Sequence, residues 1–190
     1  MNNNMLDKRV IPYLIWLVLA ILCISVCGIN VLCLRNLALL GALVYLSVID
    51  LKAYIIPDKA LLIAVLAWFS AIPFAYELYG GAAGILGAIL SAVLFGGGIL
   101  IFTLIMDKLL QKETMGGGDI KLFAVLGLYL GIPEALFALF LACVLGLCFA
   151  LLCTGSGKPQ IPFGPSISLA GWLMLLYGDP IMAWYIYLMI

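Results

Sequence analysis

The chain has 190 residues, 67% of them hydrophobic and 9% charged, with a mean hydropathy of +1.30. Nine Lys and Arg balance nine Asp and Glu, which gives a nucleic-acid role no support, and the lack of histidine removes most zinc sites and every Ser-His or Cys-His mechanism. Long unbroken apolar runs define an all-α, polytopic integral membrane helical bundle of about seven to eight transmembrane segments, forming a single membrane-embedded domain over residues 1–190.

Residues 1–9 are polar and end Asp7-Lys8-Arg9. The apolar run over 10–34 is too long for a signal-peptide core and predicts the first spanning helix. Arg35-Asn36 reads as a short turn, and a second helix begins at 37 and runs to about Ile49, short unless it continues past Asp50. A polar loop over 52–59 contains Pro57, which disfavours helix at Ile56. A third helix is predicted over 60–79, a Gly80-Gly81 turn follows, and a fourth helix covers 82–106. Gly84, Ala88 and Ala92 put small residues on one face of it, and Gly96-Gly97-Gly98 is expected to kink it. The longest polar loop spans 107–118, the fifth helix 120–131 and the sixth 133–153. A polar loop at 154–160 carries Lys158, and a seventh helix ends near Tyr177. Gly178-Asp179-Pro180 reads as a turn, leaving 181–190 as a partial eighth helix. The six cysteines lie in apolar stretches without a Cys-x-x-Cys pair and read as small buried hydrophobes.

The positive-inside rule orients this chain. With a cytoplasmic N-terminus, Lys8, Arg9, Lys52, Lys59, Lys108, Lys112, Lys121 and Lys158 all fall inside and Arg35 alone falls outside. The same arrangement brings Asp50, Asp58 and Asp119 to the cytoplasmic face and leaves Glu77 and Glu134 on the outer surface.

The stretch that carries chemistry is Met-Gly-Gly-Gly-Asp-Ile-Lys-Leu at 115–122. Gly116, Gly117 and Gly118 let the backbone bend and another group come close, and Asp119 sits where a helix would start. Upstream lie Asp50 and then Ile55-Ile56-Pro57-Asp58. Two carboxylates sharing one proton can split a peptide bond, one activating water as base and the other hydrogen-bonding the substrate carbonyl as acid. Asp119 lies at the positive end of its helix and is expected to start as the anion; Asp50 lies near a helix C-terminus and is expected to hold the proton. Asp119, Phe123, Gly127 and Gly131 share one helix face, whose glycines are expected to admit the helix that bears Asp50. Plainer roles exist for each residue: Asp119 as a helix cap, Asp50 as a solvated boundary residue beside Lys52, Asp58 as the cap of the third helix, and Lys121 as a lysine snorkelling at the membrane edge.

On these residues the chain resembles the type IV prepilin peptidases, membrane aspartic proteases with a Gly-x-Gly-Asp motif. Gly116-Gly117-Gly118-Asp119-Ile120-Lys121-Leu122 looks like the second catalytic motif of that family, and Asp50 with Ile56-Pro57-Asp58 looks like the first. Ile161-Pro162-Phe163-Gly164-Pro165 looks like a segment near the C-terminal end of bacterial members. The resemblance implies Asp50 and Asp119 as the catalytic pair, and Gly116, Gly117, Gly118 and Lys121 as substrate-binding residues. Pro57, Asp58, Pro162, Phe163, Gly164 and Pro165 would be structural motif positions, with no metal and no cofactor. It implies cleavage of the short basic leader of type IV prepilins or pseudopilins at the cytoplasmic face of the cell membrane, the substrate's apolar helix staying among the lipids. Short loops without paired Cys-x-x-Cys motifs resemble a peptidase-only form lacking the methyltransferase domain. Two other classes compete. A transporter or proton channel would use the same aspartates as a proton relay, but no acidic chain crosses the midplane and no internal repeat is visible. A Gly-x-Gly-Asp protease cutting within helices, like the presenilin group, would lack the Ile-Pro-Asp and Pro-Phe-Gly-Pro stretches.

Overall fold

The computed structural model describes residues 3–153 and 162–189, with side chains over 11–151 and 162–189. Lys158 with its loop and Ile161 lie outside the described residues, as do the side chains of Lys8 and Arg9. The described residues form seven α-helices: α1 (Asn3–Cys27), α2 (Val31–Ala53), α3 (Asp58–Ala75), α4 (Gly81–Leu110), α5 (Gly117–Leu130), α6 (Ile132–Cys153) and α7 (Gly164–Met189). A 3₁₀ turn at Glu77–Tyr79 joins α3 to α4. Five of the helices, α2, α3, α4, α6 and α7, are long and apolar enough to cross a membrane. Large apolar side chains such as Leu86, Phe102, Phe140 and Tyr187 cover the outside of the bundle. That surface suits lipid, where a backbone must satisfy its own hydrogen bonds within helices.

The first two helices divide earlier than the sequence suggested. The break lies at Gly28, whose φ of +70° ends α1, and Asn30 caps α2 by accepting the Cys33 N–H at 2.7 Å. Arg35-Asn36 is therefore not a turn but part of α2, and α2 carries Asp50 inside its last turn. The expected turn at Gly178-Asp179-Pro180 is also absent. Helix α7 runs through Pro180, so no separate eighth helix forms. The Gly96-Gly97-Gly98 run sits within an unbroken α4. Of the cysteines, Cys23 and Cys33 are buried as expected, whereas Cys143 and Cys148 are exposed on the apolar outside.

Short α5 stands at the centre, packed by α3, α4, α6 and α7, with Leu122, Phe123 and Leu126 fully covered. Its neighbours approach closely because small residues meet. A Cβ at Gly96 of α4 would lie 2.5 Å from Ala124 Cβ, and one at Gly127 would lie 3.1 Å from the Ser91 carbonyl oxygen and 3.3 Å from Ala92 Cα. With lipid as the alternative surroundings, such contacts hold the bundle by dispersion rather than by removal from water. The glycine face of α5 thus receives α4, not the helix of Asp50 as expected. Helices α2 and α5 do not pack on each other directly among the described residues; α3 and α7 each pack against both.

Candidate active site

Asp50 is buried, and it stands where α2 meets the start of α7. Its own backbone carbonyl is not free but accepts the Tyr54 N–H at 3.0 Å. The carboxylate instead meets the N-terminus of α7: the Gly164 N–H donates to Asp50 Oδ2 at 2.8 Å. That amide belongs to the first turn of α7, whose N–H groups have no partner within their own helix and favour an anion. Pro165 follows, at a first-turn position where a missing N–H costs nothing. Only glycine fits at 164, because a Cβ would come within 2.7 Å of Asp50 Oδ2 and 3.0 Å of Cγ.

Asp119 lies in the first turn of α5, outside the five spanning helices and half-buried. Its N–H donates to the Gly116 carbonyl at 3.0 Å, and Gly116 occupies the cap position without a side chain to cap with. Asp119 is therefore not the cap of α5. No donor reaches its carboxylate among the described residues. Burial, and next the charge of Asp50, push its pKa up from 3.8 to about 6. The two carboxylates thus sense each other although their helices do not touch.

Two contacts fasten the first motif to the second. A Cβ at Gly118 would lie 2.7 Å from Ile56 Cβ, so the residue before Pro57 presses on the glycine run. Lys121 Nζ binds Asp58 Oδ1 at 2.7 Å. Asp58 is the first residue of α3, makes no cap, and is engaged by this lysine. Gly116 and Gly117 are exposed beside Asp119, and a Cβ at Gly117 would meet nothing within 4 Å. From the third motif, Pro162 is buried, and Phe163 tilts against Phe123 with ring centroids 6.4 Å apart. Phe163 also fills the space that a side chain at Gly146 would need. All three motifs meet at one end of the bundle. The use of Gly164 as donor to Asp50 escaped sequence reasoning, and no local signal carries it.

Fold and site together define a polytopic helical membrane protein with two carboxylates, one buried and one half-buried, gathered at one end of the bundle. A profile of the type IV leader peptidase family matches residues 37–151, and the chain belongs to that family. The prepilin leader peptidase/N-methyltransferase of Aeromonas salmonicida (strain A449) is 36% identical over 159 residues, covering 80% of this chain and 52% of that protein. The proteins of the same name from Neisseria gonorrhoeae and Bacillus subtilis (strain 168) are 30% and 32% identical, covering 78% and 77% of this chain and 50% and 57% of their own. The chain spans about half the length of the curated relatives it matches. No solved structure matches it.

Proposed function

We propose that the chain is a membrane aspartic endopeptidase that removes the short basic leader from type IV prepilins or pseudopilins. The observation that carries this reading is the meeting of Asp50, held by the Gly164 amide, with Asp119 beside an open glycine loop. The Gly164 amide offsets part of what burial costs the Asp50 anion, whereas no donor among the described residues does so for Asp119, so we assign the shared proton to Asp119. The roles are then the reverse of those expected from the helix ends of the sequence. Asp50 takes a proton from water, the water oxygen attacks the scissile carbonyl carbon, and Asp119 gives its proton to the carbonyl oxygen. On collapse of the tetrahedral intermediate, Asp50 returns its proton to the leaving amine and Asp119 recovers one from the hydroxyl. Exposed Gly116 and Gly117 leave room for a substrate backbone beside Asp119, with Lys121 at the rim.

The site faces the cytoplasm in this reading, in the cell membrane. Lys52, Lys59, Lys108, Lys112 and Lys121 fall near the same helix ends as the carboxylates, and Arg35 lies toward the other end of α2. The test is cleavage of a co-reconstituted prepilin by wild type, Asp50→Asn, Asp119→Asn and Asp58→Asn. Loss of cleavage in the first two variants and retention in the third is the expected result. Near wild-type cleavage by Asp50→Asn or Asp119→Asn would sink the mechanism, and proton flux would be measured next.

A further inference from the structure

We propose that the apolar groove between α4 and α6 is the subsite for the substrate's membrane-embedded helix, an assignment that rests on the endopeptidase reading above. The groove holds about 550 Å³. Leu94, Gly98 and Phe102, each four residues from the next, form its α4 wall, Cys143 stands on its α6 wall, and Met115 and Phe163 also line it.

Those last two residues tie the groove to the chemistry. Met115 directly precedes Gly116, at the start of the glycine loop that bears Asp119. Phe163 directly precedes Gly164, whose amide holds Asp50. A chain lying in the groove is thereby led to both carboxylates, and cleavage requires the scissile bond to be held there. The walls are also the least covered of the five spanning helices. Only 17% of the apolar stretch of α4 and of α6 is buried, against 39% for α2 and 50% for α7.

Gly98 separates a helix from an acyl chain as occupant. Gly96 has its use within the bundle, where α4 meets Ala124, but a Cβ at Gly98 would meet nothing within 4 Å. A glycine inside a helix costs about 1 kcal/mol relative to alanine, and nothing among the described residues packs on Gly98 in return. Its missing side chain admits the backbone of a second helix, as small residues do wherever membrane helices cross closely. An acyl chain would pack equally well on an alanine. The occupant assigned is the apolar helix that follows the cleaved bond.

The test uses the full chain in lipid vesicles with an intact prepilin. Gly98→Leu fills the groove, and Gly97→Leu is its control, since Gly97 faces open space and does not line the groove. The expected result is a KM raised tenfold or more in Gly98→Leu with kcat within twofold, and both constants within twofold in Gly97→Leu. A second arm is independent of turnover. Asp119→Asn is mixed with prepilins carrying one cysteine at successive positions of the apolar helix, and a short bismaleimide links them. Links to Cys143 are expected at positions three to four apart and vanish in the added Cys143→Ala background. Equal kinetics for the two glycine variants, or links that never involve Cys143, overturn the groove while cleavage by wild type leaves the endopeptidase reading standing. A wild type that cuts no prepilin overturns both.

Discussion

The amide of Gly164 donates to Oδ2 of Asp50 at 2.8 Å, across 114 residues of sequence, and a Cβ at position 164 would come within 2.7 Å of that same oxygen. One glycine therefore both holds the carboxylate and leaves the space in which it sits. Gly164→Ala is expected to push the Asp50 carboxylate aside and lengthen this bond. Prepilin cleavage should fall on the order of 100-fold, the scale of a displacement of about 1 Å at a reacting group. Overpacking should also cost about 1–3 kcal/mol of stability. Cleavage kinetics beside thermal unfolding of the same sample check it. A variant that loses stability but cleaves at the wild-type rate would separate Gly164 from the chemistry.

Asp119 gives a pH dependence with a definite sign. Its pKa in the fold is about 6, above the ordinary 3.8. Below 3.8 both folded and unfolded chains hold the proton and the shift has no effect. As pH rises from 3.8 to about 6, the unfolded chain sheds its proton first, so stability is lost across that window and stays lost above it. Asp119→Asn, which resembles the neutral acid, is expected to be more stable than wild type at neutral pH by about 1–3 kcal/mol. The advantage should vanish below about pH 4. The same variant should not cleave. The opposite stability trend would mean that a donor holds the Asp119 anion.

Wild-type cleavage supplies a separate check on the proton's place. With Asp119 as the acid, kcat/KM is expected to fall as pH rises through about 6, because the proton it must donate is gone. The profile reports the pair, but the sign of the limb distinguishes the roles. A rate that rises through the same region would return the base to Asp119.

The sequence made the motifs and their order readable because glycine runs, prolines and isolated carboxylates stand out in an apolar chain. Helix ends were less readable, for a physical reason. Arg35-Asn36 looks like a turn because both side chains are polar, yet both find partners inside the fold, Arg35 at the distant Tyr79 and Tyr129, and Asn36 at Arg35 and the Cys27 sulfur. The Arg35 guanidinium lies 5.5 and 4.9 Å from the ring centres of Tyr79 and Tyr129 and donates to Tyr79 Oη and to Asn36 Oδ1. A helix can carry such residues inward when partners wait there. The surroundings of Asp50 were hidden for the same reason: the helix end that donates to it is that of α7, not of its own helix.

Gly118 and Ile56 make a pair that can be broken and repaired. A Cβ at Gly118 would lie 2.7 Å from Ile56 Cβ, where no real Cβ fits without movement. Gly118→Ala is expected to shift the glycine loop and lower cleavage by roughly 10- to 100-fold. Removing the opposing Cβ with Ile56→Gly should restore part of the rate, so the two changes should be strongly non-additive. Simple additivity in a double-mutant cycle would show that the loop moves without regard to Ile56.

The Asp58–Lys121 ion pair tests whether charge or contact holds the two motifs together. The bond is short, at 2.7 Å, but the side chains are 70% and 58% exposed, so water screens it. Exposed pairs contribute about 0.2–1 kcal/mol. Asp58→Asn and Lys121→Gln are each expected to lower stability by no more than that and to leave kcat within a few-fold, with the coupling fading in high salt. Lys121→Gln should raise KM more than Asp58→Asn does if Lys121 also touches the substrate, because only that change removes the touching group. Equal KM values for the two variants would confine Lys121 to its pair with Asp58.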